Sequence, residues 1–428
     1  MENHGRVWRY IVRSKDRTSG VPNNFSVTFP NAIPDSGNAS PGDVVRYDIP
    51  VGRPNQFIDT SETCFQFGVL NNTANDAFLL DGSAYCFINR LDVLSAGQVL
   101  ETIQSYNVLC NTLLDLQVNG VDATLPMSIN LGTAYSADAN YNKYGKTIAK
   151  SGTGEFSLPL ACSGVLGSGC SKYLPIAKVN DLRLELTIEN AAQAVVQVAN
   201  TATFSITNPQ LVLTYVEVAP DMAQQLEVAT MGKYLISTES WRNYQTVLPA
   251  TRTGDSVLIP ARYSSLRTLL HTFRDNANNS DQTKYWQSAR TNPFYSSTGA
   301  TCSIQYALGS VLVPQSPIKG GVAETFLNTQ AAFHNLGSIS PGSRCSINNW
   351  ITDAYSNTST MGSFAFAQNF DSFMHKSTDM TVGFNTLAQP TFINMTYPAS
   401  VSIANRFDTF AHFDALIEID DAGLRMRY

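Results

Sequence analysis

Two stretches 223 residues apart organise the reading of this chain: GQVLETIQSYNVLCNTL, Gly97–Leu113, and GGVAETFLNTQAAFHNL, Gly320–Leu336. Gly97/Gly320, Val99/Val322, Glu101/Glu324, Thr102/Thr325 and Leu113/Leu336 are identical pairs in one register. Val99, Ile103, Cys110 and Leu113 answer to Val322, Phe326, Phe333 and Leu336, a spacing that lines one face of an amphipathic helix. A glutamate in the first turn of each suits the positive end of a helix dipole. Five identities at matching places favour duplication over chance. Each half is thus expected to carry one helix against its sheet, with Ile103 and Phe326 as equivalent core anchors.

Around these stretches the sequence alternates in the two-residue period of strands. In VWRYIVR, Trp8, Tyr10 and Val12 fall on one face and Arg9, Ile11 and Arg13 on the other. Further strands are expected at 24–29, 44–51, 63–70, 84–94, 155–160, 182–188, 194–198 and 211–218. In the second half they are expected at 241–248, 256–260, 266–273, 303–313, 364–370, 380–384, 391–397 and 415–419. Pro220–Leu226 reads as a short helix opened by proline. About eight strands per half without βαβ alternation predict an all-β chain of two tandem eight-stranded antiparallel jelly rolls, each with one inserted helix. The expected division is 1–226 for the first roll with an N-terminal arm, 227–240 for a linker and 241–428 for the second roll. Two long irregular stretches, 119–154 and 338–363, read as outer-surface elaborations. Tyr135, Tyr141 and Tyr144 in the first are expected to pack that loop rather than to stack on a ligand.

The 428 residues are 43% apolar, enough for full cores, but only 14% charged, which suits a subunit that buries much of its surface against other chains. A net charge of −6 argues against general nucleic-acid binding. Seven cysteines without CxxC spacing read as free thiols rather than a disulfide framework. The start MENHGRVWRY is not a signal peptide and no apolar run reaches membrane-spanning length. The sequons at Asn24, Asn38, Asn71, Asn278, Asn357 and Asn394 follow from an Asn/Ser/Thr-rich composition.

No chemistry emerges. His4, His271, His334, His375 and His412 form no HxH, HExxH or HxxxH arrangement, and P-loop, GxSxG and GxGxxG patterns are absent. Asp371, His375 and Asp379 read as a polar loop. Asp420 and Asp421, adjacent on a strand end, point apart. The expectation is no catalytic residue, no metal and no cofactor.

Four segments carry a resemblance: YIVRSKDRTSGVPNNFSVTFP at the start; FSLPL, LPIAKVNDLRLELTI and LVLTYVEV closing the first half; IPARYSSLRTLLHTFRD with LVPQSPIKGGVAETFLNTQAAFHNL in the second; and FAFAQNFDSF, VGFNTL and FDTFAHFDALIEID near the end. In order and spacing the chain resembles the double jelly-roll major capsid proteins of icosahedral double-stranded DNA viruses, of the polinton-like virus, adintovirus and virophage type. The resemblance implies a non-enzymatic structural subunit. Three copies would form a pseudo-hexagonal homotrimer that meets neighbouring capsomers and minor or penton proteins in the virion, after assembly in the host cell. The chain is short for that family, so its outward towers are expected to be small. A vertex subunit, and a two-domain glycan-binding or glycan-cleaving β protein, are the alternatives. Residues 1–17 hold five basic residues against two acidic ones, and LRMRY adds Arg425 and Arg427. Because the family places both termini at the base of the block, Arg6, Arg9, Arg13, Arg425 and Arg427 are candidates for a basic floor. Its partner there would be a minor protein, an inner membrane or the genome.

Overall fold

The structure, a computed structural model, describes residues 6–13, 38–118, 126–133, 147–167, 169–170, 173–217, 220–277, 279–283, 290–296, 299–319, 322–333, 343–345, 347–351, 362–371 and 383–428. The expected strands at 24–29 and 380–382, the sequons Asn24, Asn278 and Asn357, and Tyr135, Tyr141 and Tyr144 lie outside them.

The first eight principal strands are β1 (Arg6–Arg13), β2 (Val44–Ile49), β3 (Gln56–Asn71), β4 (Ile88–Ser95), β5 (Gln98–Gln104), β6 (Thr153–Pro159), β7 (Leu182–Ile188) and β8 (Phe204–Glu217). They form two antiparallel sheets, ordered β1-β8-β3-β6 and β2-β7-β4-β5. The next eight are β9 (Tyr234–Leu248), β10 (Arg252–Ile259), β11 (Leu266–Asp275), β12 (Ser303–Leu308), β13 (Val311–Ile318), β14 (Phe366–Asn369), β15 (Thr391–Val401) and β16 (Asn405–Asp420). Their sheets run β9-β16-β11-β14 and β10-β15-β12-β13. Adding eight to each number of the first pattern gives the second, so the chain is a jelly roll built twice. A final strand, β17 (Gly423–Arg427), folds back on β16.

Alternation explains the sheets. In β7 every second residue (Leu182, Leu184, Leu186, Ile188) is buried, as are Val45, Tyr47 and Ile49 in β2. These sides face the inner sides of the opposite sheet, where Phe65, Phe67, Phe156 and Phe204 pack edge to face and offset with one another and with Phe87, which ends the helical turn before β4. Phe273, Phe294, Phe364 and Phe407 do the same in the second roll.

Helix α1 (Tyr106–Gln117) follows β5, α2 (Pro220–Thr230) joins the rolls, and α3 (Val322–Ala332) follows β13. Among the described residues, one inserted helix of more than two turns per roll agrees with the sequence reading, but the register of the repeat does not. Gln98–Gln104 is strand, so Glu101 and Ile103 sit in a sheet while their supposed mates Glu324 and Phe326 sit in a helix. The chain changes from strand to helix at Ser105, whose φ of 50° is left-handed. Leu100 and Ile103 meet the core from an extended backbone, and the i, i+4 spacing of Val99 and Ile103 was compatible with either form. Ile103 is fully buried. Phe326 is only partly so, edge-on to Trp350 at 4.9 Å. Several boundaries also move; the strand expected at 84–94, for one, is a helical turn over Ala84–Phe87 and a strand only from Ile88. The stretch 303–313 is a strand, a turn and the start of a second strand, and Ala194 ends a short helix before the two-residue strand Val195–Val196.

Candidate assembly site

Side chains with chemical potential are spent on structure. His271 is fully buried between Phe407 (5.2 Å), Tyr306 (5.7 Å) and Phe366 (6.3 Å), and its Nδ1 lies 2.9 Å from Thr409 Oγ1. Burial pushes its pKa down to about 3. His412 stacks on Trp241 at 4.4 Å and places Nε2 3.0 Å from Glu239 Oε2. Burial pushes the Glu239 carboxyl up. The hydrogen bond and charge of His412, and the charge of Arg267, outweigh it and hold the carboxyl at about 2. Asp371 lies 3.5 Å from Arg267, while His375 and Asp379 fall outside the described residues, as do His4 and His334. Asp420 and Asp421 diverge, the first toward Arg425 (3.8 Å) and the second toward Lys178 (3.4 Å). No cluster of metal-ligating side chains occurs among the described residues, and none of their helices is long and apolar enough to cross a membrane.

What the fold does concentrate is the seam between the rolls. Strand β5, at the edge of a first-roll sheet, lies beside β9, at the edge of a second-roll sheet, with no hydrogen-bonded ladder between them. Side chains make the join. Glu101 on β5 accepts from Ser163 Oγ at 2.7 Å and from the Gly164 amide at 2.8 Å. Ser240 of β9 donates to the same carboxylate, and Thr238 donates to the Gly164 carbonyl. Burial raises the Glu101 pKa, and these hydrogen bonds partly offset the rise. Gly164 and Gly169 are required here, because an added Cβ would lie 2.7 Å and 2.4 Å from the Glu239 carbonyl.

A second tie is ionic. Arg290, fully buried, reaches from the second roll to Thr112 and Asp115 of α1 and lies 3.5 Å from Asp81. Arg344 Nε donates to Asp115 Oδ1 at 2.5 Å, while the Arg344 amide (3.1 Å) and Ser343 Oγ (2.9 Å) donate to the Asp115 carbonyl. Cations at the last turns of α1 also meet the negative end of its dipole. A third tie is Gln282, which makes four hydrogen bonds with Gln197, Asn200 and Ala202. Between the ties lies a cavity of about 390 Å³ lined by Cys110, Leu113, Cys162, Trp241, Phe333 and His412, among others. A buried charge gains most when its partner is fixed in place, so a seam of this kind holds two rolls at one mutual orientation.

None of Glu101, Asp115, Gln282, Arg290 and Arg344 was singled out from sequence as a contact between the halves. Gln282 and Arg290 lie in a stretch that reads only as a polar loop, and Glu101 read as a helix-dipole residue. An isolated basic residue in a neutral run, as in QSARTNPF, was the available signal for Arg290.

The candidate basic residues occupy two places. Arg6, Arg9 and Arg13 are opposite Glu217, Thr214 and Gln210 of β8. Arg425 and Arg427 share one face of β17. Arg427 donates to Glu418 at 2.5 Å and Arg425 lies 3.8 Å from Asp420, both side chains at least half exposed. By register Arg6 lies beside the end of β8, with Arg9 and Arg13 further along it, and Arg425 and Arg427 lie beside the end of β16 on the edge away from β9.

The outer faces of the equivalent sheets differ. On β2, β7 and β4 the outward residues are charged and paired: Arg46–Glu185 (3.1 Å) and Arg183–Asp48 (2.5 Å) across strands, and Arg90–Asp92 (2.6 Å) along β4. On β10, β15, β12 and β13 the matching rows are Ser256, Asn394 and Gln305, then Leu258, Phe392, Ala307 and Leu312, without a charge.

No protein-family model matches this chain, and no curated protein matches it by sequence. Solved structures do. The PBCV-1 virus capsid subunit superposes with a TM-score of 0.63 at 12% identity, over 100% of this chain and 98% of that one. The Faustovirus major capsid protein gives 0.57 at 9% identity over 98% and 92%, and the Sputnik virophage structure 0.55 at 12% over 100% and 89%. At these identities the likeness is one of fold, and that fold, two jelly rolls in one chain, is this chain's over its whole length.

Proposed function

We propose that this chain is the major capsid protein of an icosahedral double-stranded DNA virus: a structural, non-enzymatic subunit whose homotrimers form pseudo-hexagonal capsomers of the virion shell. The observation that carries this reading is the pair of complete rolls with identical strand order, tied by a buried polar seam, in a chain matched end to end by capsid subunits. Two rolls per chain and three chains supply six similar blocks. The low charge content suits the large buried surface such a block requires, about 2,000 Å² or more per obligate interface. Two rolls in one chain weigh against a single-roll vertex subunit. Light scattering on the purified protein tests the proposal. A trimer of 46.7 kDa chains is expected, and a monomer persisting at micromolar concentration would refute it.

The division into a first roll to residue 226, a connecting segment over 227–240 and a second roll from 241 is part of the same proposal, with β9 entering the second roll's sheet from Tyr234, inside that connecting segment. So is the basic floor. Arg6, Arg425 and Arg427, with Arg9 and Arg13 as lesser members, would engage an anionic partner on the inner side of the shell: a minor protein, lipid head groups or packaged DNA. Arg6 beside the last residue of β8, and Arg425 and Arg427 beside the last residues of β16, support this, and the carboxylates beside Arg425 and Arg427 weaken the local field. Contacts of this kind are screened over about 8–10 Å at physiological salt. Deleting 1–6 and 425–428 should leave trimers intact and impair shell assembly, and full-yield particles from that variant would refute the idea.

A further inference from the structure

All seven cysteines are free thiols. Cys302 donates to the Phe294 and Lys319 carbonyls at 3.4 and 3.0 Å, and Cys345 to the Asp115 carbonyl at 3.5 Å. Cys110 and Cys162 are placed differently. Far apart in sequence, they line the same cavity between the rolls. Cys110 is buried on α1, and Cys162 is half-buried in the loop that leaves β6.

The backbone beside one thiol is fixed to the helix that carries the other. Tyr106 precedes Cys110 by four residues and so shares its face of α1. Its hydroxyl donates to the carbonyl of Ala161, the neighbour of Cys162, at 2.8 Å. Tyr85, edge-on to Tyr106 at 5.9 Å, donates to the Pro159 carbonyl at 2.8 Å. The segment 159–162 is thus moored twice beside the start of α1. Cys162 is held there at a left-handed φ of 66°, a conformation that residues other than glycine keep only under restraint from their surroundings. Burial pushes the Cys110 thiol up, and the neighbouring Cys162 thiol pushes it further.

We infer that Cys110 and Cys162 are a modification site: a dithiol in the reducing interior of the cell, and a cystine once the particle meets an oxidising medium. The timing rests on the capsomer reading; the pairing does not. The oxidant is a small disulfide such as oxidised glutathione. The Cys162 thiolate, the more accessible of the two, attacks one glutathione sulfur and expels the first glutathione thiolate. Cys110 then attacks the Cys162 sulfur and expels the second, so that two electrons and both cysteine protons pass to the two glutathiones. Because burial keeps Cys110 protonated, the second step is the slower. The cross-link joins the two first-roll elements that grip the second roll. Thr112 and Asp115 of α1 hold Arg290, while Ser163 and Gly164, next to Cys162, share Glu101 with Ser240 and bond Thr238. Closing the cystine fixes these two grips to each other.

The test uses the purified protein, prepared reduced and then held with oxidised or with reduced glutathione, alongside Cys110→Ser and Cys162→Ser variants. Peptide mapping without reductant should find the Cys110 peptide joined to the Cys162 peptide after oxidation only. Cross-linking a loop of about 50 residues restricts the unfolded chain, so the melting temperature should rise by about 4–5 °C. Neither variant should show that rise, and Cys110→Ser should retain glutathione on Cys162. Both thiols left free, glutathione retained on Cys162 of the unaltered chain, Cys162 joined to Cys64 or Cys170, or a cystine without the rise in melting temperature would each overturn the inference. The map and melt of the unaltered chain decide the matter even where a variant fails to fold. Oligomeric mass does not enter the test, so its failure leaves the capsomer reading standing.

Discussion

Replacing Arg290 with methionine tests whether the rolls are held by the buried ionic tie. The substitution removes a fully buried guanidinium and keeps a side chain of similar length. It leaves Asp81, 6% exposed, and Asp115, 1% exposed, facing a seam that water does not reach; Asp115 still has Arg344 at 2.5 Å. Removing one partner of a buried ion pair costs about 3–5 kcal/mol, because the remaining charges lose a compensating partner. Unfolding entropy for a chain of this length is about 0.9 kcal/mol/K when both rolls melt together, so the expected fall in melting temperature is about 3–6 °C. Calorimetry is the assay, since it also shows whether one transition splits into two as the rolls decouple. Asp115→Asn, which keeps an amide oxygen for Arg344, completes a double-mutant cycle. With Asp115 already neutral, the loss of Arg290 should cost clearly less than it does alone. A melting temperature within about 1 °C of the unaltered chain, or strict additivity in the cycle, would refute the reasoning.

Three further outcomes are expected. Because His271 is held neutral with its pKa near 3 against about 6.5 unfolded, the unfolded chain binds the extra proton between those values. Stability should therefore fall by about 1.4 kcal/mol per pH unit as pH drops below about 6, and His271→Phe should flatten that slope in acid melts, failing which the imidazole is not the buried group. Glu101 has the opposite sense: a carboxyl whose folded pKa is raised is penalised once pH exceeds its unfolded value, until the folded group ionises too. Glu101→Gln, whose amide can keep the bonds to Gly164, Ser163 and Ser240, should match or exceed the unaltered protein at pH 8 and lose that advantage toward pH 4. A marked loss of stability at pH 8 would count against this account. Finally, Ile103→Ala should cost about 2–5 kcal/mol, as large-to-small core changes do, and Phe326→Ala less because its ring is only partly covered; equal losses in thermal melts would restore the equivalence that the structure breaks.

The sequence alone determined the class of fold, the doubling and the absence of recognisable catalytic or metal-binding motifs. All three rest on local pattern. Alternation in segments such as LRLELTI sets which side of a strand is apolar, proline and the run after it open the helix at Pro220, and motif spacing is read directly along the chain. Locally ambiguous segments went wrong. Gly97–Gln104 carries apolar residues at positions that a helix and a strand can both use, and only the sheet partner β4 decides for strand, with Ser105 turning left-handed to release α1. The tertiary structure alone decided the seam. Arg290 meets Asp115 across 175 residues of chain and Ser240 meets Glu101 across 139, distances at which no periodicity carries information. It also decided which of two equivalent helices is covered. Whether Thr112 or Leu327 is buried depends on a neighbour packed against it rather than on the helix that carries it.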